Sequence, residues 1–168
     1  QSSHVGLIAS IAGPTAQGEA VPVLARGIRQ FAAEIGGRTP LIVNCDGATA
    51  WAWVPVSHSW QRDQRLTDWR PDVSALMSLS VGSRQRGLDG FRRTHEEAHR
   101  THLLTAFGAV THRRNVLFHD EPGLAATALL TKDLEGTRSW AQGVLGELAR
   151  DHQNAARLRQ TMLNWLRH

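Results

Sequence analysis

Apolar runs of strand length alternate with stretches whose apolar positions recur at helical spacing. Residues 5–12, VGLIASIA, are an unbroken apolar run that Gly13-Pro14 closes, which predicts a strand. Val21, Leu24, Ala25, Ile28, Phe31, Ala32 and Ile35 then repeat every 3.6 residues and stop at Gly36-Gly37, which predicts a helix. Two further runs, Leu41 to Cys45 and Ala48 to Val56, flank Asp46-Gly47. Asp-Gly between strand-like runs predicts a hairpin closed by a type I′ turn with positive φ at both central residues. Trp51 and Trp53 share one face of its second strand by the two-residue period.

The polar stretch 57–74, with Trp60 and Trp69, reads equally as a short helix or a long loop. After it, Leu76 to Val81 predicts a strand, Gly82, Gly87 and Gly90 punctuate a loop, and a long amphipathic helix opens near Leu88 and runs to His102. Strand, loop and helix form half of a βαβ unit, and Asn115 to His119 predicts a further short strand. Pro122 opens a helix at its first turn. The order predicts an α+β sandwich, with helices on one face of a mainly antiparallel sheet. From Pro122 the pattern is wholly helical, with apolar faces at Leu124, Ala128 and Leu129, at Trp140, Val144, Leu145 and Leu148, and at Leu158, Met162, Trp165 and Leu166. The expected division is an α+β domain over residues 1–120 and a helical segment over 121–168.

Composition narrows the class. Hydrophobic content of 41% and charged content of 20% in 168 residues suit a globular domain. Cys45 is the single cysteine, so no internal disulfide forms and a cytoplasmic setting is expected. No apolar run reaches the length of a membrane span, and no signal peptide is visible. The net charge is +4, carried almost wholly by arginine, which invites a nucleic-acid reading. The arginines are scattered beside acids, Arg93 with Glu97 and Arg62 with Asp63, and solvated helix faces explain them better. The start without methionine and the stop inside an amphipathic helix predict a piece of a longer protein.

One string raises enzyme chemistry. His95-Glu96-Glu97-Ala98-His99 spells H-E-x-x-H, in which two histidines one turn apart hold zinc and the glutamate activates water. His102 extends the row, but a straight helix spreads the outer imidazoles over about 10 Å, too far for one tetrahedral ion. A third ligand would have to come from His112, His119 or Glu121, none at a recognisable spacing. The three histidines fall near Leu88, Phe91 and Ala106 on the helix wheel, the side expected to face the sheet. Glu96 is placed in a surface ladder with Arg92 and Arg100. The string is therefore read as a coincidence, and no catalytic, cofactor-binding or metal-binding residue is assigned.

The stretch SVGS (Ser80 to Ser83) followed by GLDGFRRTHEEAH (Gly87 to His99) resembles the GGDEF-like domain of bacterial PucR/CdaR-type transcriptional regulators. Gly87, Leu88, Gly90, Phe91, Arg92, Thr94, His95, Glu97 and Ala98 carry the likeness, while His99 stands where such sequences more often have arginine. Asn44 to Trp51 sits where GGDEF-class cyclases carry their signature turn. Leu145 to Leu148 and Arg157 to Met162 resemble the connector leading into the family's C-terminal helix-turn-helix. The resemblance implies a ferredoxin-like, nucleotide-cyclase-like sheet followed by helices. It also implies a non-catalytic relay or dimerisation role, DNA contact only through a helix-turn-helix beyond this chain, and room for an unidentified small-molecule effector. Cyclase chemistry needs paired carboxylates for two metal ions, yet residues 5–12 hold no acid and the hairpin holds only Asp46. The alternatives are a zinc-dependent hydrolase using His95, Glu96 and His99, or a nucleotide-binding cyclase relative. Exposed Trp51, Trp53, Trp60 or Trp69 could mark a contact surface; filling of the core is preferred.

Overall fold

A computed structural model of the chain describes residues 3–12, 20–73, 76–106, 115–121, 123–124, 127, 133–150 and 152–166. Pro122, Ala128, Leu129 and His112, named above, lie outside them. The chain divides into two compact units, Gln1–Ala128 and Leu129–His168.

The first unit is built on five strands, β1 (Ser3–Ile11), β2 (Leu41–Asn44), β3 (Thr49–Val56), β4 (Met77–Arg86) and β5 (Val116–Phe118), in the spatial order β2-β3-β1-β4-β5. β1 pairs antiparallel with both β3 and β4, β2 antiparallel with β3, and β4 parallel with β5. Helix α1 (Ala20–Glu34) connects β1 to β2, and helix α2 (Gly87–Ala106) connects β4 to β5. The first four strands thus follow the split βαβ order of a ferredoxin-like sheet. The described residues of the crossover from β3 to β4, however, are irregular apart from a 3-10 turn at Gln64–Asp68.

The sheet has two covered faces. Val5, Leu7, Ala9 and Ile11 of β1 point to one side, and with Ala50, Ala52 and Val54 of β3 and Met77, Leu79 and Val81 of β4 they meet Leu24, Ile28 and Phe31 of α1 in the main core. Leu66 of the 3-10 turn and the half-buried Trp60 and Trp69 close the same layer, Trp69 standing edge-on to Phe31 at 5.2 Å. The irregular crossover therefore does the covering that a second helix on this side would do. α2 lies on the opposite face, against Gly6 and Gly82 and the indoles of β3. The expectation of helices on one face is corrected on this point. β4 runs ten residues, and alternate positions supply Leu79 and Val81 to one layer and Ser80 and Gly82 to the other.

Two local expectations also change. No loop separates β4 from α2: the strand continues through Gly82 to Arg86, and Gly87 at φ +66° turns it directly into the helix. The hairpin between β2 and β3 forms, in the register Val43↔Trp51 and Leu41↔Trp53. Its turn is not type I′, since neither Asp46 nor Gly47 has positive φ. A wider loop is closed by the Asp46 carboxylate, which accepts the Ala48 N–H at 2.7 Å, and by the Cys45 N–H donated to Thr49 O at 3.0 Å. Asp stabilises a turn through its side chain as readily as through left-handed backbone, and here it does the former.

The second unit holds helices α3 (Leu134–Leu145) and α4 (Gln153–Leu166) with a 3-10 turn at Gly146–Ala149 between them. Asp133 caps α3 by accepting the Gly136 N–H at 2.8 Å, and Gly146 at φ +52° ends it. The Arg159 guanidinium of α4 donates to the carbonyls of Leu148 and Arg150 at 2.5 and 3.0 Å, tying helix to turn. Among the described residues, no helix is long and apolar enough to cross a membrane.

Candidate functional site on the helix-covered face

The innermost residues of α2 are small or polar: Thr94, Glu97, Ala98 and Thr101, with Leu104 farther along. They match a feature of the sheet beneath. Val5 pairs with Arg84 and Leu7 with Val81, so β4 carries one extra residue opposite Gly6. Such a bulge takes backbone groups out of the ladder. The Thr94 hydroxyl accepts the Gly6 N–H at 2.8 Å and donates to Ser83 O at 2.6 Å. One turn later, Glu97 Oε2 accepts from Ser83 N at 2.9 Å and from Ser83 Oγ at 2.5 Å. Residues three apart on a helix share a face, so the T-x-x-E spacing brings both side chains to one bulge. The helix can come this close because Gly6 and Gly82 leave room: a Cβ on Gly82 would stand 2.1 Å from Thr94 O.

Beside this seam runs an aromatic row. Phe91 stacks on Trp53 with ring centroids 4.3 Å apart at 7°, and the Trp53 indole N–H donates to Phe91 O at 3.0 Å. His4 meets Phe91 edge-on at 5.4 Å. His95 lies 4.5 Å from Trp51 and 5.1 Å from Trp53. Trp51 and Trp53 thus pack under α2 rather than forming an open contact surface.

The H-E-x-x-H residues part company on this framework. His95 is half-buried against the indoles, its ring 6.4 Å from that of exposed His99. His102 is half-buried and lies farther along the helix. The Nδ1 atoms of His95 and His102 are buried with no hydrogen-bond partner among the described residues. Burial pushes both imidazoles below the ordinary histidine value and the neighbouring His99 adds to it, against the opposing pull of Glu96 on His95 and of Asp46 on His102. Glu96 is exposed, and it is Glu97 that turns inward. The expected Arg92-Glu96-Arg100 ladder does not form: Arg92 lies 3.9 Å from Asp89, and Arg100 Nε reaches the Glu96 carbonyl at 3.3 Å. Among the described residues, no group of three or more His, Cys, Asp or Glu side chains is placed to hold a metal ion.

Elsewhere Arg93 pairs with Glu97 as expected, at 3.3 Å. Arg62 does not take Asp63, which caps the 3-10 turn by accepting the Arg65 N–H at 2.9 Å. Arg62 instead meets Asp120 at 2.6 Å and Glu121 at 3.4 Å, and covers the Phe118 ring.

The motif positions singled out in the sequence therefore serve helix docking: Gly87 the strand-to-helix turn, Gly90 a close approach to Gln85, Phe91 the stack, Thr94 and Glu97 the bulge. Asp46, the one acid of the hairpin, accepts the Ala48 N–H on one carboxylate oxygen and so closes its own turn. A mixed five-stranded sheet with a helix on each face defines an α+β domain. The family model described as GGDEF-like domain matches residues 1–103, and the chain belongs to that family. No curated protein matches it.

Proposed function

We propose that the chain is the non-catalytic regulatory domain of a bacterial transcriptional regulator of the PucR/CdaR type, relaying a signal or holding two subunits together in the cytoplasm. DNA would be read by a helix-turn-helix beyond this chain, to which the helices over 134–166 would lead. The observation that carries the non-catalytic half is at the hairpin: β1 has no acid, and the Asp46 carboxylate is bonded to Ala48 N–H. Two metal ions on a triphosphate require more carboxylate oxygens than one turn-closing aspartate offers. The regulator half is supported by the resemblance of Leu145–Leu148 and Arg157–Met162 to the family's connector.

Incubation with GTP or ATP and Mg²⁺ or Mn²⁺ tests the first half, with no cyclic or linear dinucleotide product expected. Metal analysis of untagged protein tests the hydrolase alternative. Stoichiometric zinc lost on His95→Ala and on His99→Ala would overturn the reading. The coding sequence continuing past His168 tests the second half, since it should encode a helix-turn-helix.

A further inference from the structure

We infer that the notch between the end of α1 and the start of β2 is a binding site for a small organic carboxylate, its charge met by Arg29 and Arg38. The inference goes beyond the proposed function and does not depend on it.

The walls of the notch are set by backbone. α1 ends at Glu34, and Gly36 at φ +64° turns the chain toward β2. The last helical carbonyls are satisfied within the turn. Phe31 O accepts from Ile35 N at 3.0 Å, Ala33 O from Gly36 N at 3.0 Å and Ala32 O from Gly37 N at 2.8 Å. The segment that follows is pinned to the sheet. Arg38 N donates to Pro55 O at 2.9 Å, and Gly37 lies so close to β3 that a Cβ would stand 2.3 Å from Val54 Cγ1. Between that segment and the last turns of α1 is a cavity of about 230 Å³, with Arg29, Ala32 and Ala33 on the helix side and Gly37 to Pro40 on the other.

Every charged residue of this lining is an arginine. Arginine near the end of a helix ordinarily serves the free carbonyls there, but here backbone N–H groups have taken them. Neither guanidinium makes a hydrogen bond or ion pair with any described residue, whereas Arg62 and Arg93 hold Glu121 and Glu97. Two fork-shaped donors and the exposed Thr39 hydroxyl are thus left for an anion. Ala33 and Pro40 add hydrocarbon to the wall, which a bare oxyanion such as inorganic phosphate does not use. Size narrows the class further. The cavity falls below the roughly 300 Å³ at which drug-sized sites begin, enough for a single ring and short of a nucleotide. A carboxylate carried on one ring or a short apolar chain matches charge, wall and volume together.

Nuclear magnetic resonance titration of the isotope-labelled whole chain with sodium benzoate, at constant ionic strength, tests this. Saturable amide shifts are expected at Ala33, Gly37 and Thr39. Arg29→Gln and Arg38→Gln should each weaken binding about fivefold, the loss of one exposed ion pair, and should leave the rest of the spectrum in place because neither side chain has a partner to lose. Ala33→Trp fills the notch from its exposed rim and should abolish the shifts. Acetate, which lacks the ring, should bind more weakly than benzoate, and so should benzamide, which lacks the charge. Inorganic phosphate binding as tightly as benzoate would overturn the carboxylate in favour of a bare anion site. Benzamide binding as tightly as benzoate would overturn the part given to the arginines. Shifts that do not saturate, that map elsewhere, or that both glutamine variants leave unchanged overturn the site itself.

Discussion

The Thr94 hydroxyl lies 2.8 Å from the Gly6 nitrogen, 88 residues away in sequence, and holds the central helix to the central strand. The same hydroxyl donates to Ser83 O, so one side chain satisfies two of the backbone groups at the bulge and Glu97 takes a third, Ser83 N–H. The helix is docked by a polar contact where its neighbours on the wheel would suggest an apolar one.

Thr94→Val keeps the shape and removes the hydroxyl, leaving a buried donor and a buried acceptor unpaired. A loss of about 1–3 kcal/mol per unpaired group is expected from urea unfolding. Thr94→Ser should recover most of it, and equal losses for the two variants would show that packing rather than hydrogen bonding is at stake.

Gly82→Ala and Gly6→Ala probe the closeness of that contact. A Cβ at residue 82 would meet Thr94 O at 2.1 Å, and at residue 6 the nearest backbone atoms of Thr94 and His95 stand at 3.0 Å. Overpacking of this kind costs about 1–3 kcal/mol. Gly82→Ala should lower the melting temperature more than Gly6→Ala, and the reverse order would contradict the geometry.

Stability should fall on acidification. Burial holds the folded pKa of His95 and His102, and of His4, below the ordinary value of 6.5. Below pH 6.5 the unfolded chain therefore binds more protons than the folded one, and stability rises with pH across that range. The loss begins as pH drops through 6.5 and levels off below the depressed folded values. Urea midpoints between pH 8 and pH 5 read this directly. His95→Phe should flatten the slope, while a midpoint that climbs toward acid would refute the burial argument.

Trp53→Phe keeps a ring for Phe91 to stack on and deletes the indole N–H bonded to Phe91 O. A cost of about 1 kcal/mol is expected for the bond, with native circular dichroism retained. Trp51→Phe, at a position with no such bond among the described residues, should cost less by the same unfolding assay.

Much of the frame was legible in the chain. The apolar runs located the five described strands, and the 3.6-residue spacing located α1, α2, α3 and α4. Burial of one face accounts for the period in α1, whereas the apolar positions picked out in α3 and α4, Trp140 and Trp165 among them, are exposed. The resemblance carried by Gly87 to His99 pointed to the GGDEF-like family, and the match over residues 1–103 agrees. The periodicity placed the face of α2 only in part: Phe91 and His95 do meet the indoles of β3 and His102 is half-buried. Leu88, which the wheel placed toward the sheet, is 70% exposed, and His99 is exposed, while Thr94, Glu97 and Thr101 are buried. A hydrophobic pattern scores what a side chain prefers in the absence of a partner, and here the partner is a bulged backbone with glycines on either side.

The amino-acid order alone decided which segments are strands and helices, that the hairpin closes at Asp46-Gly47, and that no second acid stands near Asp46 in sequence. Tertiary structure alone decided that α1 and α2 take opposite faces, that Arg62 pairs with Asp120 rather than its neighbour Asp63, and that Glu97 rather than Glu96 points inward. The physical reason is range. Periods and turns are set by atoms a few residues apart, whereas the choice of face depends on backbone groups at Gly6 and Ser83 that only folding brings beneath the helix.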